Sequence, residues 1–98
     1  MANCVYILYS SKLNHFYVGQ TSDFEVRFAQ HNDVRSQYST SKGRPWEVFL
    51  IIGCSALSQA IKIERHIKKM KSSTYIKNLK EYPEMVEKLL RKYGAHDC

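Results

Sequence analysis

The chain predicts an α/β fold of the α+β type: a small, mainly antiparallel three-stranded sheet flanked by helices. Three observations predict it. Two short alternating apolar runs near the N-terminus are separated by turn-forming residues. A third run, apolar on both faces, follows a polar, Gly/Pro-containing stretch. Between and after these runs the apolar residues recur at helical spacing. The expected order is β-β-α-β-α-α plus a C-terminal helix. At 98 residues the expectation is a single domain over 1–98, with a core over 4–80 and the last helix over 83–93.

Residues Cys4 to Tyr9 alternate as a strand, with Val5, Ile7 and Tyr9 on one face and Cys4, Tyr6 and Leu8 on the other. Ser10 to Asn14 is turn chemistry, and Phe16 to Thr21 is a second strand. If the loop is the four residues Ser11 to Asn14, Leu8 faces Tyr17 and Tyr6 faces Gly19. Tyr6 and Tyr17 are then diagonal neighbours on one face, roughly 7–8 Å apart at Cα, and Gly19 leaves open space beside Tyr6. A loop one residue longer or shorter puts the phenols on opposite faces.

Ser22 followed by Glu25 reads as a capping box opening a helix to about His31 or Asn32. Phe24, Phe28 and His31 share one stripe of it, with Arg27 on the edge, one turn from His31. Asp33 to Pro45 is a loop carrying Arg35, Lys42 and Arg44. Trp46 to Ile52 is apolar on both faces and reads as a well-buried strand ended by Gly53. The next helix begins near Ser58, or a turn earlier at Ser55, and runs to about Lys71 with Ala60, Ile63, Ile67 and Met70 as its core stripe. Ser72 or Ser73 caps a short helix to about Leu79. Pro83 opens a final helix through Tyr93, closed by Gly94, whose Val86, Leu89, Leu90 and Tyr93 dock on the body.

Charge narrows the function classes. The net charge of +6 points to a polyanion, nucleic acid first. Between Lys62 and Lys80 stand seven Lys/Arg and one acid, so the excess is concentrated; with Lys42 and Arg44 this forms a candidate phosphate-tracking surface including Lys68, Lys69 and Lys71. The ordinary reading of such a run is a solvated helix face. No helix reads as a groove-inserting recognition helix, so sequence-specific base readout is not expected. No apolar run reaches the roughly 20 residues of a membrane span. The N-terminus lacks the pattern of a secretory signal, and Cys4, Cys54 and Cys98 are odd in number with no C-x-x-C. A cytoplasmic protein with reduced thiols is expected.

The one anomaly is Glu64. On the helical wheel it lies about 40° from Ala60 and about 60° from Ile67, inside the core stripe. A buried carboxylate there needs a salt-bridge partner, a proton or a metal. The plainest explanation is an ion pair with Arg27 or a nearby lysine. The alternative is a single-carboxylate site for Mg²⁺ completed by waters and a substrate phosphate. Arg27 suits a phosphate oxygen or charge in a pentavalent transition state, against an ordinary surface charge paired with Asp23 or Glu25. His31 suits a general base or relay, against a packed histidine closing an amphipathic helix. Tyr6 and Tyr17 suit water or phosphate contacts, although a phenol is a poor base unless cations help it; ordinarily they are strand aromatics with polar tips.

The order and spacing of these residues carry more than any one of them. The chain resembles the GIY-YIG nuclease superfamily over roughly Val5 to Leu79. The first signature is Val5-Tyr6-Ile7 and the second Tyr17-Val18-Gly19, and the block from Tyr17 to Asn32 is similar to the family's second strand and first helix. Gly43-Arg44-Pro45-Trp46 and the lysine-rich helix with Ala60 and Glu64 are similar to small single-domain members. The first signature reads Val-Tyr-Ile rather than Gly-Ile-Tyr, Gln20 stands where some members carry lysine, and residues from Pro83 onward match no associated DNA-binding domain.

The resemblance implies a metal-dependent DNA endonuclease that hydrolyses phosphodiester bonds. Repair, recombination, mobile-element and phage-defence roles are all compatible with it. The implied catalytic residues are Tyr6, Tyr17, Arg27, His31, Glu64 and, from an asparagine found beyond the glutamate in many members, Asn78. The implied cofactor is a weakly bound Mg²⁺ or Mn²⁺ on Glu64. The implied partner is DNA through its backbone, with a protein partner or oligomerisation as a route to targeting, and no membrane. Two rival readings are a catalytically inactive nucleic-acid-binding module and a basic accessory domain that binds a protein.

Overall fold

The structure, a computed structural model, describes residues 2–33 and 42–94. The elements are β1 (Cys4–Ser10), β2 (His15–Thr21), α1 (Phe24–Asn32), β3 (Glu47–Gly53), α2 (Leu57–Met70), α3 (Ser73–Glu81) and α4 (Pro83–Lys92). This is the expected order. The sheet runs β2-β1-β3 with both pairings antiparallel, so β1 is the central strand. Its alternation divides the molecule: Val5 and Ile7 are sealed on one face, Tyr6 and Leu8 on the other.

The larger core lies on the Val5/Ile7 side. There Val18 and Ile52 of the sheet meet Ala60, Ile63 and Ile67 of α2, Ile76 and Leu79 of α3, and Leu89 of α4. The buried Gln59 locks α2 in place. Its side-chain amide donates to the Leu90 carbonyl at 2.9 Å, and its oxygen accepts from the Ser55 amide at 2.7 Å. The smaller cluster on the opposite face is Tyr6, Leu8 and Trp46, with Tyr17, Phe24 and Phe28 packed against it, so α1 covers this side.

The hairpin has the productive register. Ser10 pairs with His15, Leu8 with Tyr17 and Tyr6 with Gly19, around the loop Ser11 to Asn14. The Ser10 hydroxyl fixes the turn by accepting from the Leu13 amide at 3.1 Å and donating to the Gly43 carbonyl at 2.7 Å.

Several local expectations are corrected. Asp23, not Ser22, is the N-cap of α1, and its side chain accepts from the Val26 amide. The Thr21 hydroxyl accepts from the Asp23 amide at 3.0 Å, which carries the turn one residue further before the helix begins. β3 is an edge strand rather than a well-buried one, with Val48 and Ile51 exposed. Met70 is exposed as well, because α2 ends there with Lys71 in the left-handed region at φ 50°. Among the described residues no glycine has a positive φ, so Gly94 follows α4 without a left-handed cap. Neither serine caps α2; Ala56 holds that position without a side-chain hydrogen bond. α3 does start at a serine cap, with Ser72 accepting from the Tyr75 amide. Arg35 and Cys98 lie outside the described residues; Cys4 and Cys54 are free thiols.

Candidate active site

The strand period and the helix period bring four of the expected side chains to one face. β1 and β2 present Tyr6 and Tyr17 with ring centroids 6.2 Å apart. α1 lies over them and contributes His31, whose ring centroid is 5.8 Å from Tyr6 and 4.8 Å from Tyr17. Tyr6 Oη donates to His31 Nε2 at 3.0 Å in the tautomer that leaves Nε2 unprotonated. Arg27 stands one turn earlier on α1, and its charge acts on the same phenol. The result is a buried Tyr6–His31 hydrogen bond that lies within the field of the Arg27 guanidinium.

Glu64 joins from α2. Its field is felt at Tyr6, and its Oε2 accepts from Lys68 Nζ at 2.8 Å. Its side chain is 18% exposed, so it sits at the rim of the buried stripe rather than inside it. Lys68 also lies over the Tyr17 ring, 6.0 Å from its centroid.

Burial divides the group into two sets. Tyr6 is wholly inaccessible and His31 is 1% exposed. Tyr17, Arg27 and Glu64 are half-buried and reach the surface. The protonation states follow from this. Burial pushes the Tyr6 hydroxyl far above its ordinary value; Tyr17 and Glu64 add to the shift and Arg27 opposes it. Burial, and then the Arg27 charge, hold the His31 imidazole below 6.5. Near pH 7 the pair is therefore a neutral phenol bonded to a neutral imidazole.

Three features of the site were not anticipated. Trp46, read as a strand residue, packs 6.2 Å from Tyr17 as part of the floor. Asn32 clamps it, accepting from the Trp46 amide at 2.6 Å and donating to the Trp46 carbonyl at 3.1 Å. Gly19 leaves no open space: a Cβ there would lie 2.5 Å from Tyr6 Oη, so the phenol itself fills the gap. No sequence signal marked the Asn32 clamp, whereas the Glu64–Lys68 pair follows from i,i+4 spacing.

Of the remaining expected residues, Lys68 reaches the site through Glu64 and Tyr17, and the others stand on α3, at the end of α2 and on the approach to β3. Asn78 is half-buried on α3, and no hydrogen bond of its side chain reaches the site. Lys42 is exposed and Arg44 half-buried on the approach to β3. Lys68, Lys69 and Lys71 are exposed at the C-terminal end of α2.

A divalent cation is tested by the donor set. Among the described residues no three His, Cys, Asp or Glu converge. Glu64 alone supplies a hard oxygen donor at the rim. The described residues therefore form no closed cage, and a single carboxylate suits a hard cation whose other ligands are water and phosphate.

Two phenols and an imidazole thus pack together on the α1 side of the sheet, and the charges of Arg27 and Glu64 act on the buried phenol. The family model described as the GIY-YIG catalytic domain matches residues 2–79, and the chain belongs to that family. Members of the family are nucleases that act on DNA and generally depend on a divalent metal. Neither the curated proteins nor the solved structures contain a significant match. No helix among the described residues is long and apolar enough to cross a membrane.

Proposed function

We propose that this protein is a divalent-metal-dependent DNA endonuclease in which Tyr17, Arg27 and Glu64 meet the substrate and Tyr6 and His31 act behind them. The observation that carries the reading is the buried Tyr6–His31 hydrogen bond, within the field of Arg27 and with the Tyr17 ring centroid 4.8 Å from that of His31. A fully buried phenol cannot touch DNA, and a strand aromatic has no need of an imidazole on its oxygen with a guanidinium charge close by. The arrangement makes sense as a device that holds Arg27 and Tyr17 in fixed orientation.

In this reading Arg27 binds the non-bridging oxygens of the scissile phosphate and stabilises charge as the pentavalent state forms. Tyr17 is the surface-reaching phenol, placed to hold the attacking water in line with the phosphorus. His31, neutral and hydrogen-bonded through Nε2, keeps Tyr6 as a donor within the field of Arg27. Glu64 would hold the cation, which supplies charge neutralisation at the leaving 3′ oxygen. Lys68 balances the carboxylate until a cation replaces it. The basic end of α2, with Lys42 and Arg44, tracks the phosphate backbone.

Nicking of supercoiled plasmid with Mg²⁺ or Mn²⁺ tests this. Glu64→Gln and Arg27→Ala are each expected to lower the rate by about 10²–10³-fold, the loss typical of a transition-state charge partner. Equal cleavage by wild type and both variants would mean a contaminant and end the proposal. Salt-sensitive DNA binding with no cleavage by the wild type would make the protein a binding module instead.

A further inference from the structure

Beside this site lies a cavity that the proposed reaction leaves unused. It occupies about 730 Å³ between the edge strand β2 and the corner where α2 meets α3. That is within the ~300–1,000 Å³ of sites that enclose a small molecule. Its aromatic wall is Phe16, half-buried, with Tyr9 at 5.0 Å and Phe49 at 4.9 Å between ring centroids. Lys68, Lys71 and Lys77 line it, and no acidic side chain does. Tyr17 and Lys68 border both this cavity and the candidate active site.

Each component alone has a plain explanation. Aromatic rings on a sheet edge are common, and exposed lysines are usually solvated. Their combination in one cavity is more specific. A flat apolar ring suits a flat aromatic partner, and Lys71 and Lys77, beside the Glu64-paired Lys68, suit a phosphate attached to it. A base within continuous duplex is stacked and paired, so it cannot enter a cavity of this kind. An unpaired base can, because every base offers a π-face to an aromatic side chain.

We propose that the cavity receives an unpaired nucleotide adjoining the scissile phosphate, so that the substrate is DNA carrying a bulge, flap or similar unpaired base rather than continuous duplex. The position of the scissile phosphate rests on the nuclease reading above; the binding of the unpaired nucleotide does not. Lys71 and Lys77 hold the phosphate of that nucleotide, Phe16 stacks on its base, and Lys68 and Tyr17 mark the border with the site of cleavage.

The test is a binding measurement with the Glu64→Gln protein. The probes are a duplex with a single-nucleotide bulge carrying 2-aminopurine and a continuous duplex of the same sequence. Stacking on Phe16 is expected to quench the fluorophore and to favour bulged DNA by about tenfold. Phe16→Leu keeps the apolar volume and removes the π-face; Lys77→Ala removes an exposed charge. Both are expected to abolish the preference, Phe16→Leu while leaving duplex affinity unchanged and Lys77→Ala with a loss for bulged DNA larger than any loss for duplex. Lys77→Ala is at the surface and reports even if Phe16→Leu fails to fold. Equal affinity for the two DNAs, an unchanged preference in Lys77→Ala, or displacement of bulged DNA by polyglutamate at matched charge would overturn the proposal. Preferential binding of bulged DNA without metal-dependent cleavage by the wild type would overturn the nuclease reading alone. Cleavage of continuous duplex as fast as bulged DNA, insensitive to both substitutions, would overturn this inference alone.

Discussion

Gly19→Ala tests the site through its backbone rather than its functional groups. A Cβ at Gly19 would lie 2.5 Å from Tyr6 Oη, 2.6 Å from Tyr6 Cζ and 3.1 Å from Tyr17 Cε1. The first distance is about 0.9 Å short of the 3.4 Å at which ordinary contact begins. The phenol has nowhere to retreat. It is wholly buried, with Phe24 at 5.6 Å and His31 at 5.8 Å between ring centroids. The strand must therefore bend or Tyr6 must leave its rotamer, at a cost of about 1–3 kcal/mol for overpacking. A displacement near 1 Å also breaks the 3.0 Å bond to His31 and misplaces Arg27. Misplacement of that size costs about 10²-fold in rate. Urea denaturation and plasmid nicking measure the two effects separately. Tyr6→Leu on the Gly19→Ala background removes the colliding atoms, so stability is expected to return while activity does not. Gly19→Ala with wild-type stability and rate would refute the reasoning, as would a double variant that recovers both.

Three further outcomes follow from the same geometry. His31 binds its proton less readily folded than unfolded, so the native state takes up fewer protons as pH falls. Its contribution is complete above about pH 6.5 and is lost as pH falls toward the depressed folded value; the urea midpoint should drop across that window, and less steeply in His31→Gln. His66 is depressed in the same direction and accounts for part of the remaining slope. Lys68→Met removes the ammonium from Glu64 Oε2, so half-maximal nicking should need less Mg²⁺, while the salt slope of DNA binding falls by about 0.9. Asn32→Ala removes the hydrogen bonds that Asn32 makes to the Trp46 amide and carbonyl and is expected to cost about 1–3 kcal/mol in chemical denaturation.

Much of this site was legible because it depends on local periods. The four-residue turn fixes the hairpin register, and register alone decides that Tyr6 and Tyr17 share a face. The helical period sets Arg27 and His31 one turn apart and puts Phe24 and Phe28 on the same side. What failed depends on which neighbours a segment meets. Trp46 to Ile52 reads as buried on both faces because apolar content does not reveal that β3 is an edge. The shift of the α1 cap from Ser22 to Asp23 depends on a Thr21 hydroxyl that competes for the Asp23 amide. The two tyrosines look equivalent in the sequence. Only the packing of α1 makes one inaccessible and leaves the other at the rim.

That asymmetry fits a larger division across the sheet. The aliphatic core shared by α2, α3 and α4 lies on one face, and the polar-tipped aromatic cluster lies on the other. Folding free energy scales with apolar area removed from water, so the first face contributes most of it. The second face can then hold what a core avoids: a phenol raised far above its ordinary value, bonded to an imidazole and close to a guanidinium charge. Because β1 belongs to both faces, Tyr6 is anchored by a strand that Val5 and Ile7 fix from behind. Trimming Ile7 or Ile63 should therefore loosen the Tyr6–His31 pair only by unfolding the sheet. Trimming Phe24 or Phe28, which touch only the aromatic side, should move the pair while the fold persists.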